Sequence, residues 1–170
     1  MLYSINPKRL SILKGIIGEE VVRSYINEVL SIKLKREGWN KVIYCGNLNR
    51  YAFNWHSKTF IENFFLRKGI HPTPALQRKL KELSETLTNV PDGFLFKLRK
   101  TSNPPFVDGE IEVIEVKYGK TPRIHPSQKE SYKAIIEKGY TLRLFYVRTI
   151  SIDDNKFEIF EKVIKNINNL

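Results

Sequence analysis

Residues 111–118, IEVIEVKY, put a carboxylate and an ammonium two positions apart in a stretch that otherwise reads as a buried strand. Side chains alternate along a strand, so Ile111, Val113, Glu115 and Lys117 share one face. Glu112, Ile114, Val116 and Tyr118 share the other. Both faces are mostly apolar, as expected of a central strand covered on both sides. Burying a charge is costly unless it is paired or holds a metal. Glu115 and Lys117 are therefore either a structural ion pair or working groups. A third group stands upstream in Val90-Pro91-Asp92-Gly93, at the mouth of the strand 93–98. If the two strands pair, Asp92 and Glu115 converge. Two carboxylates and a nearby carbonyl make a hard-oxygen site suited to Mg²⁺ or Mn²⁺. Lys117 then stands beside it, able to hold or deprotonate a water.

The elements that must position these groups follow from periodicity. Asn6-Pro7 opens a helix, with Asn as cap and Pro at the first helical position. Over residues 8–35 an apolar stripe runs through Leu13, Ile16, Ile17, Val21, Tyr25, Val29 and Leu34, widened by Val22, Ile26 and Leu30. Residues 41–45 (KVIYC) read as a strand, as do 93–98, 111–118 and 141–150. Residues 127–138 read as a helix, with Ser127 as cap and Glu130 completing a capping box. Residues 157–167 read as a terminal helix. Residues 47–89 form an insertion within a single domain spanning 1–170. It is aromatic first, then helical and basic over 75–87. The sum is an α/β fold with a central mixed sheet flanked by helices.

Composition bears on the class of partner. Lys and Arg total 29 against 18 Asp and Glu, a net charge of +11. Such a surplus favours an anionic partner, nucleic acid first. The one cysteine, Cys45, excludes an intramolecular disulfide, and no base stands near it in the sequence. His56, His71 and His125 are too dispersed for zinc with Cys45. No nucleophile elbow surrounds Ser127, and no phosphate-binding loop surrounds Gly15 and Gly18. Neither a signal peptide nor an apolar span long enough for a membrane is visible, so a soluble intracellular protein is expected, in a cell's own cytoplasm or a host's if virus-encoded.

Pro91-Asp92 followed by Glu115-Val116-Lys117 resembles the signature of the PD-(D/E)XK nuclease superfamily. Two flanking features strengthen it. Lys14-Gly15-Ile16-Ile17-Gly18-Glu19-Glu20 is similar to the Gly…Glu element of archaeal Holliday-junction resolvases and RecB-like nucleases. Gln128 and Tyr132, four apart on one helix face, are similar to the Gln-x-x-x-Tyr element of RecB-like members. Together these span residues 14–148. The resemblance implies a restriction-endonuclease-like core in αβββαβ order. It also implies metal-dependent hydrolysis of DNA phosphodiester bonds, either structure-specific or RecB-like. Asp92, Glu115, the Val116 carbonyl and Glu19 hold Mg²⁺ or Mn²⁺ in this reading. Lys117 orients the attacking water, and Gln128 positions Lys117 or a phosphate. Resolvases act as dimers, so a homodimer is implied, with no small-molecule cofactor.

The basic residues Lys8, Arg9, Lys14, Arg50, Arg78, Lys79, Lys120 and Arg123 are the expected phosphate contacts. Tyr51, Phe53, Trp55 and Phe60, with Arg50 and Lys58, either stack on unpaired bases or pack the insertion onto the domain. Two rival readings stand beside the nuclease: a DNA-binding or architectural protein without catalysis, and an RNA-processing nuclease on the same scaffold.

Overall fold

The computed structural model describes residues 6–46, 65–119 and 123–170. Helix α1 (Pro7–Tyr25) continues through a π-helical turn (Ile26–Leu30) into α2 (Ser31–Arg36). Strand β1 (Lys41–Gly46), the two-residue β2 (His71–Pro72) and α3 (Pro74–Thr86) follow. Then come β3 (Gly93–Lys100), β4 (Phe106–Tyr118), α4 (Pro126–Glu137), β5 (Thr141–Ser151) and β6 (Lys156–Ile164). The sheet is mixed and open, in the order β1-β3-β4-β5-β6, with β2 paired to β4. Among the described residues only the β4–β5 and β2–β4 pairings are parallel.

Beta4 is central, as its two apolar faces predict. Ile111 and Val113 pack with Leu76, Leu80, Tyr132 and Ile135 from α3 and α4. Ile114 and Leu95 of β3 pack with Val22, Ile26 and Leu30 from the long N-terminal helix. At roughly 1.5–3 kcal/mol for each fully buried large apolar side chain, these two layers dominate the stabilisation.

Three expectations need correction. First, the N-terminal stripe is centred on Val22, Ile26, Leu30 and Leu34, while Leu13 and Val29 are exposed. Steps of four residues drift about 40° each around an ideal α-helix. The wider π turn at Ile26–Leu30 takes up that drift and keeps the stripe on the sheet.

Second, the terminal segment is not a helix over 157–167 but the strand β6. Its apolar residues satisfy both periods: Phe157, Phe160 and Ile164 at helical spacing, Phe157, Ile159 and Val163 at strand spacing. The antiparallel ladder with β5 decides it, following a tight connection in which Asn155 has φ +53°.

Third, α4 is capped by His125, not Ser127. The His125 ring accepts from Ser127 N, and Gln128, not Glu130, closes the capping box. Asn6 does cap α1, accepting from Lys8 N at 2.9 Å.

Beta4 also begins five residues earlier than its apolar core suggests, because Val107–Glu110 pair with the end of β3 and Phe106 pairs with His71 of β2. Gly109 permits this: a Cβ there would lie 2.0 Å from the Lys97 carbonyl oxygen. Of the insertion, α3 matches the helix expected over 75–87. Residues 47–64, including Arg50, Tyr51, Phe53, Trp55, His56, Lys58 and Phe60, lie outside the described residues, as does Lys120. Among the described residues no helix is long and apolar enough to cross a membrane.

Candidate functional site

The antiparallel register of β3 on β4 pairs Gly93 with Ile114. Continued by one residue, it sets Asp92 opposite Glu115. Both side chains are buried, Asp92 at 9% exposure and Glu115 at 2%. Asp92 Oδ2 accepts from Val116 N at 2.7 Å. The N–H and C=O of one strand residue leave on the same side. The Val116 carbonyl therefore faces the same edge as Asp92, where β3 has just begun and no longer covers β4.

Glu115 is held from three directions. Lys117 Nζ donates to Oε1 at 2.5 Å, and Gln128 Nε2 to the same oxygen at 2.9 Å. Tyr132 OH donates to Oε2. Lys117 also donates to Gln128 Oε1 at 2.9 Å, so the carboxylate, the ammonium and the amide close a triangle. The Gln128 amide is itself fixed by His125 N, which donates to Oε1 at 3.2 Å. Each carboxylate oxygen has two lone pairs. Both at Oε1 are taken, while Oε2 keeps one beyond Tyr132 for a further partner.

Burial, then the charge and hydrogen bond of Glu115, and then the charge of Asp92 push the Tyr132 hydroxyl far above the usual phenol range. Tyr132 thus remains a proton donor at any working pH. The sequence sets Tyr132 on one helix face with Gln128; the structure buries its ring in the core and puts its hydroxyl on the carboxylate. We predict that Tyr132→Phe, without added metal, lowers stability by about 1–3 kcal/mol, the usual cost of leaving a buried acceptor short of a donor. Urea denaturation measures it. An unchanged midpoint would show that water replaces the phenol.

Glu19 approaches from the other sheet face. Its neighbour Gly18 lies flat on the end of β4, where a Cβ would stand 3.2 Å from Tyr118 Cβ and 3.4 Å from Val116. Only a residue this small lets α1 come so close to the sheet. Burial raises the Tyr44 hydroxyl above its ordinary pKa, and the negative charges of Asp92 and Glu19 raise it further. Glu19 and Asp92 therefore act on the same end of β1. Cys45 beside it is pushed up to about 11 by burial, which leaves it an unreactive thiol, as the sequence suggests.

The basic residues divide. Alpha1 runs antiparallel to β4, so Lys8, Arg9 and Lys14, all exposed, extend beyond the sheet end that carries Asp92 and Glu115. Arg123 is exposed just before α4, at that same end. Lys79 is elsewhere. Its ammonium donates to the Gly109 carbonyl at 2.7 Å, six residues before Glu115 and so about 20 Å along the strand. Arg78, adjacent on α3, is exposed and likewise remote.

A second charged cluster escapes sequence reading. On the α1 face of the sheet, Lys97 pairs with Glu110 at 2.6 Å and with Glu112 at 2.7 Å. Arg143 Nε donates to Glu112 at 2.6 Å, and its other end pairs with Glu161. Tyr25 OH also donates to Glu161 at 3.2 Å. Charged residues set at inward positions of the apolar strands GFLFKL and TLRLFYV were the available signal. Strand register alone shows that they meet.

Among the described residues no three His, Cys, Asp or Glu side chains gather as a metal-binding group. The available protein ligands are two opposed carboxylates and the Val116 carbonyl. That set suits Mg²⁺, which keeps several waters and takes one or two carboxylates from the protein. Comparison with protein-family models, with curated proteins and with solved structures found no match to this chain.

Proposed function

We propose that this chain is a metal-dependent nuclease of the PD-(D/E)XK type, with a restriction-endonuclease-like core, that hydrolyses DNA phosphodiester bonds. The observation that carries the reading is the placement of Asp92 opposite Glu115, with the Val116 backbone between them and Lys117 held alongside by Gln128. A protein that only binds phosphates gains nothing from two buried carboxylates facing its ligand, since they repel it unless a cation intervenes.

Asp92, Glu115 and the Val116 carbonyl would hold Mg²⁺ or Mn²⁺, while Glu19 on α1, which does not gather with both carboxylates, would add negative charge nearby. When bound, the cation supplies Lewis-acid polarisation of the scissile phosphate and lowers the pKa of a coordinated water. Gln128 fixes the Lys117 ammonium, which orients that water and counters negative charge developing on the phosphate. Tyr132 holds Glu115 in position and keeps its own proton. Lys8, Arg9, Lys14 and Arg123 supply positive charge at the same end of the molecule for the nucleic-acid backbone.

The test is cleavage of labelled linear duplex, single strand and four-way junction, each with Mg²⁺, Mn²⁺ or chelator. We expect cutting only with a divalent cation, and none with Asp92→Asn, which retains DNA binding. The preferred substrate distinguishes a junction resolvase from a RecB-like enzyme, and cutting confined to RNA assigns an RNA-processing nuclease. Tight binding without cutting in any metal leaves a DNA-binding protein on this fold.

A further inference from the structure

We propose that β6 is the self-association surface of this protein, pairing antiparallel with β6 of a second copy about a two-fold axis at Phe160. This rests on the strand and not on the nuclease reading.

Among the described residues β6 pairs only with β5, so its other edge offers unpaired backbone groups. Edge strands are ordinarily blunted by proline, bulges, shortness or charged side chains, and of these β6 has only the charges. Beta6 is nine residues long and has no proline, and its one register irregularity lies back at the hairpin, between Thr149 and Ser151. It also displays apolar side chains: Phe160 is 57% exposed and Val163 41%.

The sequence KFEIFEKVI selects one partner and one register. In a two-fold antiparallel pairing, opposed residues share a face and are symmetric about the centre. Centred on Phe160, the pairing sets Phe160 against the partner subunit's Phe160. It sets Glu158 against the partner subunit's Lys162, twice by symmetry. On the other face it sets exposed Val163 against the partner subunit's Phe157. The neighbouring centres all place like charges together. A centre at 158, 161 or 162 opposes Glu158, Glu161 or Lys162 to itself, and a centre at 159 opposes Lys156 to Lys162. Of the five centres from 158 to 162, the one at Phe160 alone opposes no like charges, although it also sets Ile159 against the partner subunit's Glu161.

The charges are free to serve. Lys162 is exposed and has no ion-pair partner among the described residues. Glu158 pairs with Arg148 on β5 and, with four acceptor lone pairs, can also take an ammonium. In the pair the two sheets join into one, with α1 of both copies on the same side.

Sedimentation of the full chain tests this. Wild type is expected to be a dimer at micromolar concentration. Lys162→Glu opposes two pairs of carboxylates, and Glu158→Lys two pairs of ammoniums. Each variant alone is expected to dissociate at least tenfold more readily while keeping the wild-type circular dichroism spectrum. Mixed together they restore both Glu–Lys pairs, and a heterodimer is expected. Phe160→Cys is expected to give a disulfide-linked dimer under mild oxidation, without interference from the half-buried Cys45. A wild-type chain that stays monomeric at 100 micromolar overturns the proposal. So does a dimer that neither charge variant weakens, which places the interface elsewhere.

Discussion

Glu112→Ala lowers the free energy of unfolding by about 3–5 kcal/mol, the usual cost of removing one partner from a buried ion pair. Glu112 lies between Lys97 and Arg143, and all three are buried on the α1 face of the sheet. The substitution leaves two cations in an apolar layer with only Glu110 and Glu161 at its rim to receive them. It also leaves a cavity against Leu95, the cross-strand neighbour. Typical domain stabilities are only about 5–15 kcal/mol, so the variant approaches the folding threshold. Guanidinium denaturation gives the number. Replacing Lys97, Glu112 and Arg143 together with Met, Leu and Met is expected to recover most of the loss, because no buried charge then remains. A loss under 1 kcal/mol for Glu112→Ala would mean that water reaches the cluster.

The same cluster sets a pH window. Burial pushes the Glu112 carboxyl up, but the hydrogen bond and charge of Arg143, followed by those of Lys97, outweigh it and hold the carboxyl below its ordinary value. Its contribution is complete above the unfolded carboxyl's value of about 4.3 and is lost as pH falls through the lower folded value. Lys97 runs the other way. Burial pulls its ammonium down, yet the hydrogen bonds of Glu110 and Glu112 hold it above its ordinary value. Its contribution is present below about pH 10.4 and is lost as pH rises through the raised folded value. Stability attributable to the cluster is therefore flat between those limits.

In the proposed nuclease, Lys117→Met is expected to lower the cleavage rate constant by roughly 10²–10⁴-fold and to leave divalent-cation affinity within a few-fold of wild type. On the proposed reading Lys117 acts on the water and the phosphate, not on the cation. Its removal takes one donor from Glu115 Oε1, while Gln128 still donates to that oxygen and Tyr132 to the other. The carboxylate keeps its place, and the loss should appear in turnover. Single-turnover cleavage measures the rate, and calorimetric titration with Mn²⁺ measures the affinity. Full activity in the variant would reduce Glu115–Lys117 to a structural ion pair, the alternative already visible in the sequence. Parallel loss of affinity and rate would make Lys117 a prop for the cation site.

The outline of the fold was legible because strong periodicities survive any tertiary context. Residues 111–118 alternate on both faces and form the core of the central strand. The helices over 75–87 and 127–138 carry their own start signals in Thr73-Pro74 and His125-Pro126. What failed was ambiguous locally. KFEIFEKVI suits a helix or a strand, and only the available edge of β5 made it β6. The long N-terminal helix was correct in extent, but its buried face was misplaced by the π turn, which a strict 3.6-residue period cannot express.

By itself the sequence singled out the groups proposed to carry chemistry, Asp92, Glu115, Lys117 and Gln128, together with a positive charge that favours an anionic partner. Residue type and parity suffice for that, because a strand's alternation is local. Tertiary structure decided who meets whom. The β3–β4 register put Asp92 opposite Glu115, and the approach of α4 brought Gln128 and Tyr132 onto that carboxylate. Register likewise gathered Lys97, Glu112 and Arg143 from three strands into one buried cluster. Such pairings join residues 13 to 31 positions apart, and a register is chosen by the fit of whole faces, which no single strand contains.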